Sequence, residues 1–250
     1  MNDPHTPPQI PQPPAAGLPG GPTIPPQLPD AIAEEQASIS NLVSAVEAIL
    51  RQPRRVIFQV GRPGSGQLIA AMLLGALLCS LVYGVIVGTF SGGTQVWAAP
   101  LKVASGLLLS ALICLPSLYI FSCLGGSQAR LLEVVGLVAG LLLLMTILLV
   151  GFAPVAWIFS QSTQSVAAMG ALHLAFWFIS TCFGIRFLNS GFAYRAGAGD
   201  GLKVWVAIFL LVMVQMTTAL RPLVGTADDL LPVEKKFFVT HWIDSLKAGK

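Results

Sequence analysis

Charged residues are scarce in this sequence. Asp, Glu, Lys and Arg make up 10% of the 250 residues, while hydrophobic residues make up 54%. Soluble domains carry about 25% charged residues, so the composition argues against a soluble enzyme. The formal net charge is only +3, and no basic stripe with interleaved aromatic residues occurs, so nucleic acid is not an expected partner. The mean hydropathy of +0.76 predicts a membrane protein instead.

Reactive and metal-binding motifs are missing as well. The four cysteines lie inside apolar runs and form no C-x-x-C pair, which is typical of inert buried side chains: Cys79, Cys114, Cys123 and Cys182. The sequence has no zinc motif, no serine–lysine pair and no paired aspartates in a hydrophobic segment. We therefore expect no catalytic residue, no metal and no cofactor, and the protein is not predicted to be an enzyme.

The segment VIFQVGRPGSGQL has the glycine spacing of a phosphate-binding loop, but it lacks the groups that bind nucleotide. Gly61 and Gly66 are spaced correctly, yet Gln67 and Leu68 replace the lysine and the hydroxyl residue that contact phosphate and magnesium. No nucleotide is expected here. Because Pro63 and the glycines break a helix and a long apolar run follows, GRPGSG is interpreted as a turn beside the membrane.

Apolar runs long enough to cross a bilayer follow this turn. A hydrocarbon core of about 30 Å requires about 20 helical residues. The predicted spans are Leu68 to Phe90, Val103 to Leu124, Leu132 to Phe159, Ala167 to Leu188 and Val204 to Leu220. Pro116 and Pro154 predict local distortion of the second and third spans, and tryptophans near the span ends, among them Trp205, are interpreted as interfacial anchors.

The residues before the first span differ in composition. The first thirty residues contain eleven prolines, which predicts an extended, disordered arm over residues 1–29. The arm is either a ligand for an aromatic groove of a protein partner or a bare tether, and the absence of flanking Arg or Lys favours the tether. Between Asp30 and Gln52, apolar residues recur at helical spacing. This amphipathic helix is expected either to lie in the membrane interface or to pack on the spans or a partner helix.

The predicted fold class is therefore all-α: a polytopic transmembrane helix bundle of about five spans over residues 67–221. The disordered arm precedes it, an amphipathic interfacial helix and turn occupy residues 30–66, and a polar tail occupies residues 222–250. The tail leaves open a sixth, shallow or re-entrant segment. The lipid bilayer is the expected partner, and a homo-oligomer also remains open.

Basic residues predict the orientation of the bundle. Arg51, Arg54, Arg55 and Arg62 precede the first span, whereas the loops SGGTQVWAAP and SQSTQS contain no basic residue and are flanked only by Lys102. The positive-inside rule then predicts a cytoplasmic N-terminus and an external C-terminus. The expected location is the bacterial inner membrane.

The order of these features resembles the Yip family of small multi-span membrane proteins. The resemblance extends from about Leu42 to Leu220 and rests on RQPRRVIF before the spans, on LLSALICLPSLYIFSCLGG and on SQARLLEVVGLVAG. Yip proteins bind Rab GTPases and other Yip proteins in eukaryotes. The resemblance implies a scaffolding or trafficking role that uses the cytoplasmic arm, and it implies no catalytic residue.

A few polar residues near or inside the spans are candidate functional positions: Glu133, His173, Gln215 and Arg221. Ionisable groups in a membrane are costly and often functional. Glu133 is expected to pair locally with Arg130. His173 is a candidate proton relay, although a histidine bonded to a neighbouring helix is the favoured interpretation. Gln215, Thr217 and Thr218 are expected to join helices by hydrogen bonds.

Glycine pairs at four-residue spacing predict close helix contacts: Gly84 with Gly88, and Gly136 with Gly140. Two functions remain open from the sequence. A membrane scaffold is favoured because the spans carry almost no central charge. A small-solute or proton-coupled transporter is the alternative, but five spans do not divide into equal inverted halves.

Overall fold

A computed structural model describes residue 39 and residues 41–127, 129–163, 165–194 and 201–219. Within these ranges the chain consists of helices joined by short turns. The predicted all-α membrane bundle is confirmed. The proline-rich arm at 1–29, Arg221 and the polar tail at 222–250 lie outside the described residues.

Seven helices are described. In chain order they are α1 (Leu42–Arg51), α2 (Pro53–Val60), α3 (Gly66–Ser91), α4 (Gln95–Leu124), α5 (Leu131–Ser162), α6 (Val166–Tyr194) and α7 (Gly201–Ala219). Four of them, α3 to α6, are long and apolar enough to cross a membrane, and α7 is a shorter apolar helix. The protein is thus an integral membrane protein, and α3 to α7 correspond in order to the five predicted spans.

Helix α4 begins earlier than predicted. The sequence prediction starts the second span at Val103 because Pro100 and Lys102 interrupt the apolar run, but the helix begins at Gln95. Pro100 is the sixth residue of this continuous helix, and its backbone packs directly against Gly84 of α3. Both Pro116 and Pro154 also lie inside continuous helices.

Helix α5 forms the centre of the bundle. Two thirds of its most apolar window, 67%, is buried, against 33–39% for the other three long helices. It packs along α3 on one side and along α6 on the other. Its 32 residues extend about 48 Å, which exceeds a hydrocarbon core of about 30 Å. Part of α5 must therefore lie outside the hydrocarbon.

The long helices alternate in direction. Helices α3 and α5 run parallel, with Gly75 beside Leu143, while α4 returns with Pro100 against Gly84. We call the end where α3 and α5 begin the N-terminal end of the bundle and the opposite end the far end. Glycines permit the closest contacts, because an added Cβ at Gly84 would collide with the Pro100 backbone.

The helix pair, defined as α1 and α2, packs on the N-terminal end of the bundle. Ile49, Val56, Ile57 and Val60 are fully or almost fully buried within the main apolar cluster. Val60 lies against Gly136, and Ile49 reaches Gly140 on α5. The apolar face of the amphipathic segment thus packs on the spans, which is one of the two arrangements that the sequence leaves open.

Helix α7 lies at the edge of the bundle and packs mainly on α4. Trp205 is completely buried between them, and its Nε1 donates a hydrogen bond of 2.8 Å to the Cys114 carbonyl. Its ring stacks on Phe209, with centroids 5.0 Å apart. The interpretation of Trp205 as an interfacial anchor is therefore wrong: its indole N–H binds the backbone of a neighbouring helix instead of the lipid headgroup layer.

Candidate functional site

A buried hydrogen bond joins α3 and α6 in the far half of the bundle. The hydroxyl oxygen of Tyr83 lies 2.6 Å from Nδ1 of His173, and the two rings meet edge to face at 5.7 Å. Tyr83 is fully buried and His173 is 6% exposed. The preferred sequence interpretation of His173 was a bond to a neighbouring helix, and the structure places Tyr83 as its partner.

Apolar side chains surround this pair. Val87, Leu149, Met169 and Phe176 belong to the same buried cluster as Tyr83, and Phe176 stacks on Phe152 at 4.7 Å. The second ring nitrogen of His173, Nε2, has no hydrogen-bond partner among the described residues. If the Tyr83 hydroxyl donates to Nδ1, the proton of a neutral imidazole is on Nε2 and faces apolar groups; if Nδ1–H donates, Nε2 is an unused acceptor.

A lysine is buried at the same end of the bundle. Lys102 is only 4% exposed. It lies next to Val103, which shares the apolar cluster with Tyr83, and two residues after Pro100, which packs against Gly84. Polar groups from three helices are thus placed in the far half: Tyr83 on α3, Lys102 on α4 and His173 on α6. Sequence reasoning missed Tyr83, which is embedded in an apolar run, and placed Lys102 only at a span edge.

Glu133 lies at the opposite end, in the first turn of α5. Its carboxylate accepts a hydrogen bond of 3.2 Å from the backbone N–H of Arg130. An acidic side chain three residues into a helix satisfies an N–H that has no partner within the helix, and it also favours the positive end of the helix dipole. Glu133 is well separated along the bundle from His173, so the two ionisable candidates do not form one site.

The four arginines predicted to be interfacial lie on or just after the helix pair. Arg51 pairs with Glu47 at 3.3 Å, Arg55 contacts the Gln52 side-chain oxygen at 3.3 Å, and Arg62 lies over the Phe58 ring at 4.7 Å from its centroid. Arg54 is exposed. Of the other two predicted site residues, Gln215 is half-buried near the end of α7, and Arg221 lies outside the described residues.

A hydrogen bond fixes the point where the N-terminal segment meets the bundle. The backbone N–H of Ile39 donates to Oε1 of Gln59 on α2 at 3.0 Å, and both residues are buried. Gln59 is therefore a buried polar residue with a structural role, and the sequence offered no signal for it beyond its position in a short apolar stretch.

No protein-family model, curated protein or solved structure matches this chain. The resemblance to the Yip family therefore stays a prediction.

Proposed function

We propose that this protein is a membrane scaffold that presents its N-terminal segment, residues 1–38, to a protein partner. The observation that carries this proposal is the burial of the helix pair in the bundle. Because Ile39 is bonded to Gln59 and Val60 lies against Gly136, the point at which the segment leaves the bundle is fixed. The attachment point of the segment is therefore fixed relative to the membrane domain.

The distribution of charge supports a cytoplasmic position for this segment. Among the described residues, Lys102 is the charged residue of the far half, whereas seven basic and two acidic residues lie at the N-terminal end. These are Arg51, Arg54, Arg55, Arg62, Arg130, Arg186 and Lys203 against Glu47 and Glu133. Basic residues are enriched on the cytoplasmic side of membrane proteins. We place the protein in a bacterial inner membrane with its N-terminus inside.

The proposal is tested by capture of a partner from solubilised membranes. The full chain and a variant lacking residues 1–37 are purified in the same detergent, together with a variant in which the prolines of the segment are replaced by alanine. We expect a specific protein to be captured by the full chain and lost with the deletion. Capture that is unchanged by the deletion contradicts scaffolding through this segment.

A second candidate function, transport of a small solute or of protons, is favoured by a different observation. Tyr83, Lys102 and His173 are buried polar side chains within three membrane helices. Such groups often mark ion or substrate pathways. The scaffold ranks higher because Tyr83 and His173 bond to each other across α3 and α6, as side chains in a structural helix contact do.

A further inference from the structure

The exposed face of α6 changes character at Arg186. Toward the far end this face carries exposed Ile179 and Phe183. Arg186 follows, and the next exposed positions on the same face are Asn189 and Ser190. A lipid-facing surface that becomes polar within one turn marks the boundary between hydrocarbon and headgroups. Arg186 therefore lies at the level of the lipid phosphates.

The helix pair meets α6 at this same level. Phe187, the residue after Arg186, packs against Gly140 of α5, and Ile49 of α1 reaches the same glycine. The helical rise places Phe159 about 28 Å beyond Gly140 along α5, close to the hydrocarbon thickness of about 30 Å. Beyond Phe159, α5 ends with three polar residues, Ser160, Gln161 and Ser162. The level of Gly140 thus agrees with a membrane boundary on this side of the bundle.

Four arginines lie on the elements that meet at this level, α1, α2 and α6. We call this set the arginine junction: Arg51 at the end of α1, Arg54 and Arg55 in the first turn of α2, and Arg186 on α6. Helix α2 packs on both α5 and α6, and α1 and α6 both reach Gly140 through Ile49 and Phe187, so the arginines are carried by elements that meet at one level of the bundle. The one carboxylate on the helix pair, Glu47, pairs with Arg51, so the junction keeps a net positive charge.

We propose that the arginine junction binds the headgroup phosphate of an anionic phospholipid. Guanidinium groups bind phosphate oxygens through paired N–H donors, and basic residues at the membrane surface attract anionic lipids. Phe183 and Ile179 continue directly from Arg186 toward the membrane centre, so an acyl chain lies along an apolar surface while its phosphate faces the arginines. This adjoining apolar strip is why the ligand is a lipid and not free phosphate.

Binding is measured on the full-length protein in neutral detergent by native mass spectrometry. The probes are phosphatidylglycerol, phosphatidylcholine as the zwitterionic comparison, and inorganic phosphate. The junction variant carries Arg54→Gln, Arg55→Gln and Arg186→Gln. The matched control carries Arg62→Gln, Arg130→Gln and Lys203→Gln, which removes the same charge from the same end of the bundle but away from the junction.

We expect the wild-type chain to retain phosphatidylglycerol in preference to phosphatidylcholine. The junction variant should bind phosphatidylglycerol at least about 10-fold more weakly, given the attraction that each basic residue contributes near a membrane surface, and the control should stay within about twofold of wild type. If the triple variant does not accumulate, Arg186→Gln alone should still weaken binding several-fold.

Three results would overturn the proposal. Equal loss in both triple variants would mean that net charge alone attracts the lipid. Equal binding of phosphatidylcholine would remove the role of headgroup charge. Binding of inorganic phosphate with the affinity of the lipid would assign the arginines to a free anion.

Discussion

At the scale of single residues, the bond between Tyr83 and His173 is the clearest polar contact in the membrane interior. Helices α3 and α6 do not pack along their length, so this bond connects two helices that are otherwise separated by α5. Hydrogen bonds between membrane helices contribute about 0.6 kcal/mol on average and up to about 1.7 kcal/mol. The pair is therefore expected to stabilise the far half of the bundle modestly.

Tyr83→Phe removes the hydroxyl and leaves Nδ1 of His173 without its partner inside an apolar cluster. We expect the free energy of unfolding to fall by about 1 kcal/mol, measured by denaturant unfolding in mixed micelles. Tyr194→Phe is the matched control because Tyr194 is 59% exposed at the end of α6. Equal stability of the two variants would mean that the bond contributes nothing.

Substitutions that remove ionisable groups distinguish the two proposed functions. His173→Asn and Glu133→Gln each keep a polar group of similar size but lose the ability to exchange a proton. A scaffold should tolerate both, with cellular phenotype and abundance near wild type. His173→Asn should destabilise the protein more than Glu133→Gln, because His173 is buried with Tyr83 whereas Glu133 is a half-buried cap at the start of α5. If either variant accumulates to the normal level but loses its cellular function, proton-coupled transport becomes the leading function.

The sequence could predict one half of this contact but not the other. A histidine in an apolar run is unusual by itself, so the sequence indicates His173 as a candidate. The sequence does not single out Tyr83, because one tyrosine among Leu, Val and Gly is compatible with a position in lipid, in the core or at the interface. Its role depends on a residue 90 positions away, and no local pattern carries that information.

At the scale of helices, close packing at glycine determines how α3 and α4 fit together. Gly84 and the backbone of Pro100 touch directly, without an intervening side chain. The glycine spacing predicted close contacts here, but it could not predict the partner.

Gly84→Ala should separate these helices. The new methyl group collides with backbone atoms, which cannot rotate away as a side chain can, so we expect a loss of about 1–3 kcal/mol in the free energy of unfolding. Gly151→Ala is the control, because a methyl group at Gly151 meets no atom within 4 Å. Thermal unfolding in detergent compares the two. A Gly84→Ala protein as stable as the control would contradict the close contact.

Helix α7 shows where reasoning from composition fails. A tryptophan near the end of an apolar helix is typical of an interfacial anchor, yet Trp205 is buried against α4. Local sequence cannot distinguish an indole N–H that binds headgroups from one that binds a carbonyl on another helix. The hydropathy of α7 was visible in the sequence; the side of the helix that faces α4 was not.

At the scale of the whole molecule, the order of the apolar helices followed from hydropathy, because each apolar run is a local property. The position of the helix pair did not follow, because its apolar face suits a lipid surface and a protein surface equally well. The helix pair packs on the spans because Gly136 and Gly140 of α5 leave room for Val60 and Ile49. On the other side of the bundle the exposed apolar surface reaches Leu124 at the end of α4.

The orientation of the molecule is tested with reporters at both ends. The proposed arrangement, with five crossings and a cytoplasmic N-terminus, would place the C-terminus outside, so a reporter that is active only outside the cytoplasm should function after Lys250. The same reporter fused before Met1 is the control and should be inactive. Activity at Met1 with none at Lys250 would reverse the orientation, and equal activity at both ends would require an even number of crossings.

The burial of the helix pair has a consequence for biosynthesis. Residues 42–60 are translated long before Gly140 and Phe187, the residues that complete their packing site. At about 5–20 residues per second, the interval between Val60 and Phe187 lasts about 6–25 s. During that time the apolar face of the nascent helix pair has no protein surface to cover it, and we expect it to rest on the membrane surface until α5 and α6 are inserted. The final position of the pair is then reached only after translation has passed α6, which makes its docking a late step in assembly.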